Sequence, residues 1–340
     1  MKRQIILGIF ILYLSVISVF CAETVDLKTE LVFEESEKSD STIFSAPNGI
    51  AVDSSGNIYI SDAQDNCIKK FGPGGKYLLT VSRSGKGPGE FSGVRYIQII
   101  DSRLAATEFS RRQFFDLEGK YIKTENQEVP KGFAPLMYYN HGRSYVGYLA
   151  DLRKSKYILE TGEYNSKTPL IILELDAGRN ARIDGKGAKL LFTVYYYFDA
   201  DTGGNIYYTG SGENRDVIAF REGKSQPIYK TKGTPVKASP AEIEQKKMQR
   251  EKYKDYDIPE IRYHSIIKDL KCYRDNIYIW IETEELYGWV CLDNQGKEIA
   301  FYWIDDKSLI NTLKTEIANG YIYYLIIDPE KGAIIKKSKI

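Results

Sequence analysis

The chain has 340 residues, 43% of them apolar and 27% charged, which is ordinary globular composition and enough length for a sizeable core. Forty-seven basic against 46 acidic residues leave a net charge of +1, which excludes an electrostatic nucleic-acid binder; four cysteines are too few for a disulfide scaffold, and two histidines too few for a histidine-rich metal site. Twenty-seven tyrosines and 14 phenylalanines favour strands over helical bundles.

Lys2 and Arg3 precede an uncharged run from Ile5 to Phe20, followed by Cys21, Ala22 and Glu23. A basic start, an apolar stretch too short for a bilayer span of roughly 20 residues, and small residues behind it form the layout of a secretory signal over 1–21. Cys21 stands where a bacterial lipoprotein carries its lipidated cysteine, and the leader resembles that class, with Phe20 departing from the small residue usual before the cysteine. An ordinary signal-peptidase site, with Val19 and Cys21 at the small positions, is the alternative. Both readings send the protein out of the cytoplasm, to a bacterial periplasm, a lipid anchor in the envelope, or the medium.

The segment Thr29–Glu34, TELVFE, alternates but has no partner near it in sequence. From Pro47 to Asp62, PNGIAVDSSGNIYISD places Ile50, Val52, Ile58 and Ile60 at period two around a DSSGN turn, which predicts a hairpin. Ile68 and Phe71, the turn GPGGK and Tyr77 to Val81 complete a four-stranded meander. The unit returns: Asp201 to Tyr207 repeats the spacing of Asp53 to Tyr59, and the outer turn recurs as Gly75-Lys76, Gly119-Lys120, Gly223-Lys224 and Gly296-Lys297. A repeat of about 45 residues with four short strands is the signature of a propeller blade. Six blades centre on Ile58, Leu104, Tyr145, Ile206, Ile277 and Ile322. The last ends at its third strand, so Thr29–Glu34 is expected to supply the fourth and close the ring. Ala150 to Lys167 reads as an extended loop in blade three. Ser239-Pro240-Ala241-Glu242 is a capping box with proline at the first helical position, predicting a helical insertion over 238–260 between blades four and five. The fold class is all-β: residues 22–340 form one six-bladed β-propeller of four-stranded antiparallel blades.

PNGIAVDSSGNIYISD, IKKFGPGGKYLLT and GKGPGEF (Gly85 to Phe91) resemble the NHL repeat, above all that of bacterial extracytoplasmic six-bladed propellers with a TolB-like architecture. The resemblance is strong over residues 45 to 124 and continues as shorter echoes. It implies the propeller fold, while most bacterial members carry no assigned activity.

Motifs for a serine nucleophile elbow, dinucleotide or phosphate loops, paired C-x-x-C cysteines and H-E-x-x-H zinc binding are absent. Asp199 begins like a calcium loop, but the twelfth position is Gly210 instead of glutamate, so a β-turn is the reading. Amidating-lyase relatives hold zinc with three histidines; this chain has only His141 and His264. Lactonase-like relatives use common oxygen ligands around a divalent cation. A metal-assisted lactonase or lyase is therefore the alternative to the leading expectation, an exported, monomeric, non-catalytic binding or protein-interaction propeller with no required cofactor. Its loops converge on one face at the channel mouth. There Arg95, Arg112, Arg215 and Arg262, with His264, Tyr196 and Glu108, form the expected site. Arginines grip oxyanions and aromatic rings stack, so an envelope protein, a peptide, or a small anionic or sugar ligand is the expected partner. The membrane is met only through an anchor at Cys21.

Overall fold

The computed structural model describes residues 23–35, 43–108, 111–126, 133–141, 144–163, 169–177, 180–184, 187–190, 196–210 and 215–340. The leader and Cys21 lie outside them. Strands β1 (Glu23–Leu27) and β2 (Thr29–Glu34) come first and find their partners at the far end of the chain. Four meanders follow. Blade one is β3 to β6 (Pro47–Val52, Ile58–Asp62, Cys67–Phe71, Tyr77–Val81), and blade two is β7 to β10 (Tyr96–Ile100, Arg103–Thr107, Arg111–Phe115, Tyr121–Asn126). Blade three is β11 to β14 (Phe133–His141, Ser144–Asp151, Lys156–Glu163, Leu170–Asp176). A separate hairpin, β15 and β16 (Ala181–Asp184, Gly187–Leu190), precedes blade four, β17 to β20 (Tyr196–Ala200, Ile206–Gly210, Asp216–Arg221, Lys224–Lys230). After helix α1 (Pro240–Lys252) come blade five, β21 to β24 (Ile267–Tyr273, Asn276–Glu282, Tyr287–Leu292, Glu298–Ile304), and blade six, β25 to β27 (Thr312–Ala318, Tyr321–Asp328, Gly332–Lys339).

Each blade packs both faces of its inner strands against neighbouring blades. That is why every residue of β4 is buried. Ile58 and Ile60 pack with Phe33, Phe71 and Leu325 towards blade six, while Tyr59 packs with Phe91, Leu104 and Phe115 towards blade two. Blade five repeats the division, with Ile277 and Ile279 facing blade four and Tyr278 and Trp280 facing blade six. Period-two alternation here separates left neighbour from right neighbour rather than core from water. The core is thus a series of wedges between blades, each apolar side chain in them contributing roughly 1.5–3 kcal/mol.

The repeated turns have two physical explanations. In the inner hairpin, Asp53 accepts from Ser55 N and Asn57 N at 2.9 Å, from Asn57 Nδ2 at 2.8 Å and from the Tyr59 hydroxyl at 3.1 Å. Asp201 does the same with Asn205 N, Asn205 Nδ2 and the Tyr207 hydroxyl. The aspartate therefore builds a turn, as the sequence reading expects. In the outer hairpin, Gly75 and Gly296 adopt φ of +79° and +87° and lean on the neighbouring blade. A Cβ at either would stand about 2 Å from a backbone oxygen, that of Val32 or Ile228, so glycine is required by space as well as by conformation.

Closure follows the expected scheme and adds a strand to it. β2 pairs antiparallel with β27, Phe33 opposite Ile335 and Glu34 opposite Ile334, and Phe33 packs 4.8 Å from the Phe71 ring. The polar segment before it, β1, runs parallel to β24 as a fifth strand of blade five, Glu23 opposite Ala300. Only Lys28 separates the two strands, so this short segment ties two blades together. Blade three departs from expectation. Lys156–Glu163, read from sequence within a loop, is a full strand, and Ser155 supplies the left-handed turn residue before it, with φ +53°.

Helix α1 bears the predicted capping box, Ser239 and Glu242 bonding each other's backbone, and none of its residues is buried. It is anchored at its base, where Ala238 N donates to Arg262 O and His264 N to Val236 O. Beyond it, Asn180 and Asp257 exchange hydrogen bonds of 2.7 and 2.8 Å.

Candidate ligand site at the channel mouth

The innermost strand of each blade lines the axis of the ring. The leading ends of five of them, β3, β7, β17, β21 and β25, border a cavity of about 790 Å3. Glu242 from the insertion, His264 between it and β21, Tyr287 at the head of β23 and Ile310 before β25 complete its rim. His264 Nε2 stands 3.2 Å from a Glu242 oxygen. The Ser239 hydroxyl and backbone N–H, with His264 adding to them, hold the Glu242 carboxyl down to about 2.

The walls are aromatic and the depth is charged. Tyr96, Tyr196, Tyr197, Phe198 and Trp280 line the sides, with Trp280 stacked at 5.7 Å on buried Trp289. On β21, Lys268 pairs with Glu282 at 2.6 Å and Lys271 lies 4.0 Å from Asp269. On β25, Lys314 and Glu316 alternate with Thr315 and Ile317, which turn into the wedge towards blade five. Burial pushes the Glu316 carboxyl up to about 7; Lys271 opposes that shift, and Asp199 and Asp269 add to it. Burial also disfavours the charged form of Lys271, but the surrounding carboxylates of Asp269, Glu316 and Asp199 outweigh it and hold its ammonium above the usual range.

The structure distributes the expected site residues unequally. His264 and Tyr196 border the cavity, Tyr196 largely buried in the wedge between blades three and four. Arg95 borders a smaller recess of about 340 Å3 that shares Asn48, Tyr96 and Lys314 with the cavity. The others are not brought together with these. Arg112 is 3% exposed and bonds Glu125 at 2.7 Å along blade two. Glu108, also buried, accepts from Ser92 N and Oγ and pairs with Arg111, pinning the loop between blades one and two. Arg215 donates to Gly233 O at 3.1 Å, and Arg262, with its side chain 77% exposed, lies 3.9 Å from Glu260. The charged pairs of the channel were not among the sequence candidates. Their signal was present in IKDLKCY and TLKTEIA, where two or three charges recur along an innermost strand among uncharged residues.

Among the described residues no group of three or more His, Cys, Asp or Glu side chains is placed to hold a metal ion, and no helix is long and apolar enough to cross a membrane. Cys67, Cys272 and Cys291 are free thiols, and burial pushes those of Cys67 and Cys291 up to about 11.

Comparison with known proteins places this geometry in a wide fold group. No curated protein matches the chain. A duf4221 family member from Bacteroides vulgatus superposes with a TM-score of 0.59 at 10% identity, covering 92% of this chain and 97% of its own. Regucalcin, a calcium-binding protein of Agrobacterium tumefaciens, gives 0.51 at 11% identity over 94% and 97%. A Bacteroides fragilis protein named as exported gives 0.50 at 10% identity over 94% and 99%. At such identities the likeness is one of fold. The NHL repeat family matches residues 44–71, the start of blade one. The chain is a six-bladed β-propeller that carries an NHL repeat in its first blade.

Proposed function

We propose that the protein is an exported binding propeller that receives a small ligand, or the tip of a partner chain, in the channel mouth beside its helical insertion. The observation that carries this reading is the cavity itself. Five blades and the insertion converge on one concave space with aromatic walls and a few directed polar groups, the usual composition of a ligand pocket. The leader pattern around Lys2, Arg3 and Cys21 supports export. On blade two, by contrast, Glu108 and Arg112 are already committed to structural partners.

The test uses protein purified from envelope extracts under mild conditions, with small molecules released by denaturation and identified by mass spectrometry. Ile310, at the rim and 67% exposed, can be changed without disturbing the core. Ile310→Arg should reduce capture of the released compound at least tenfold while the melting temperature stays within about 2 °C, as expected of a surface change. Equal capture by both proteins, or cross-linking of the compound to outer strands, would move the site off the channel.

A further inference from the structure

Of the three lysines that line the cavity, two have a carboxylate partner and one has no direct ion pair. Lys268 is matched by Glu282, and Lys271 lies among Asp269, Glu316 and Asp199. Asp269 is further engaged by the Thr315 hydroxyl and by Leu270 N at 2.8 Å. Lys314, among the described residues, makes no hydrogen bond and no ion pair; its ammonium stands 5.9 Å from the centre of the Tyr96 ring. It faces both the main cavity and the smaller recess, and the recess also presents Arg95. Two cations, Arg95 and Lys314, therefore border the smaller recess. Burial lowers the proton affinity of both, of Lys314 against the pull of Asp269 and of Arg95 against that of Tyr96. An anion placed between them would remove that penalty, because partly buried charge is stabilised by a paired oxyanion.

Resting on the reading of the channel as a ligand site, we propose that Lys314, assisted by Arg95, anchors the oxyanion of an organic ligand, a carboxylate or a phosphate ester, whose apolar or aromatic body lies along the tyrosine wall. Tyr96 joins the two parts of the site, bordering the recess and the main cavity alike. Lys314 sets specificity through charge, and the wall supplies area without strict chemical selection.

Matched probe pairs test this on the mature protein by calorimetric or NMR titration: 3-phenylpropionate with 3-phenylpropionamide, and phenyl phosphate with phenol. Wild type should prefer an anionic member over its neutral partner at least tenfold. Preference in the first pair alone identifies a carboxylate ligand, and in the second alone a phosphate ester. Lys314→Met should bring the preferred pair within twofold of parity and leave the neutral affinity unchanged, while Lys314→Arg should keep the preference and control for folding. Equal wild-type affinity within both pairs, or a preference that survives Lys314→Met, overturns the anion assignment and leaves the channel reading intact. Absence of binding by all four probes, or binding unaffected by Ile310→Arg, removes the channel reading and this assignment with it.

Discussion

Asp53 and Glu316 are both carboxylic acids held inside the ring, and they behave in opposite ways. Asp53, 1% exposed, receives two backbone N–H groups, an amide and a phenol, so its charge is solvated by the turn it organises. Glu316 faces the channel with no hydrogen bond among the described residues, and burial drives it towards the neutral form. The same functional group is structural where the fold supplies donors and poised where it does not. The inner hairpins are finished chemistry, whereas the channel gives Glu316 no donor among the described residues.

The largest effect should come from the finished side. Asp53→Ala leaves two backbone N–H groups and the Asn57 amide short of an acceptor, and should cost about 3 kcal/mol in urea unfolding. A loss below about 1 kcal/mol would mean that the turn holds without its carboxylate. Glu316→Gln should act in the other direction and depend on pH. The folded carboxyl titrates at about 7 against an unfolded value near 4.3, so the folded state binds its proton more tightly. Stability from this group is present below the unfolded value and declines as pH rises through about 7; burial sets the shift, Lys271 opposes it, and Asp199 and Asp269 add to it. Thermal melts should show the variant gaining on wild type between pH 5 and 8, and parallel pH profiles would refute the contrast. The smallest effect belongs to Arg262→Ala. With its side chain 77% exposed and its acidic neighbour 3.9 Å away, it should change stability by no more than about 0.5 kcal/mol and leave channel binding unaltered.

What could be seen from sequence followed the locality of its causes. D-x-x-G-N-x-Y and G-K fix turns within a few residues, so blades one, two and four to six were visible, as was the unpartnered TELVFE strand. Blade three hid its third strand because Ser155 takes the left-handed turn position that glycine would have advertised. β1 was missed because ETVDL is short, polar and paired with residues near position 300 without any local turn. For the site, rim arginines drew attention by type, yet Arg112 is absorbed into an ion pair that only the register of β9 and β10 reveals. Lys314 and Glu316 resembled a solvated strand face. The ring turns that face inward, and no single strand carries this information.

The clasp formed by β1 and β2 also governs when the protein can become whole. Glu35, just past β2, accepts a hydrogen bond from Ala333, 298 positions further along the chain. Strands β1 and β2 therefore leave the ribosome unpaired and wait until β24 and β27 have been made. Phe33 stays without its neighbours Leu325 and Ile335 for that interval. Such remote pairing makes ring closure late and slow, and leaves an apolar edge uncovered until β24 and β27 arrive.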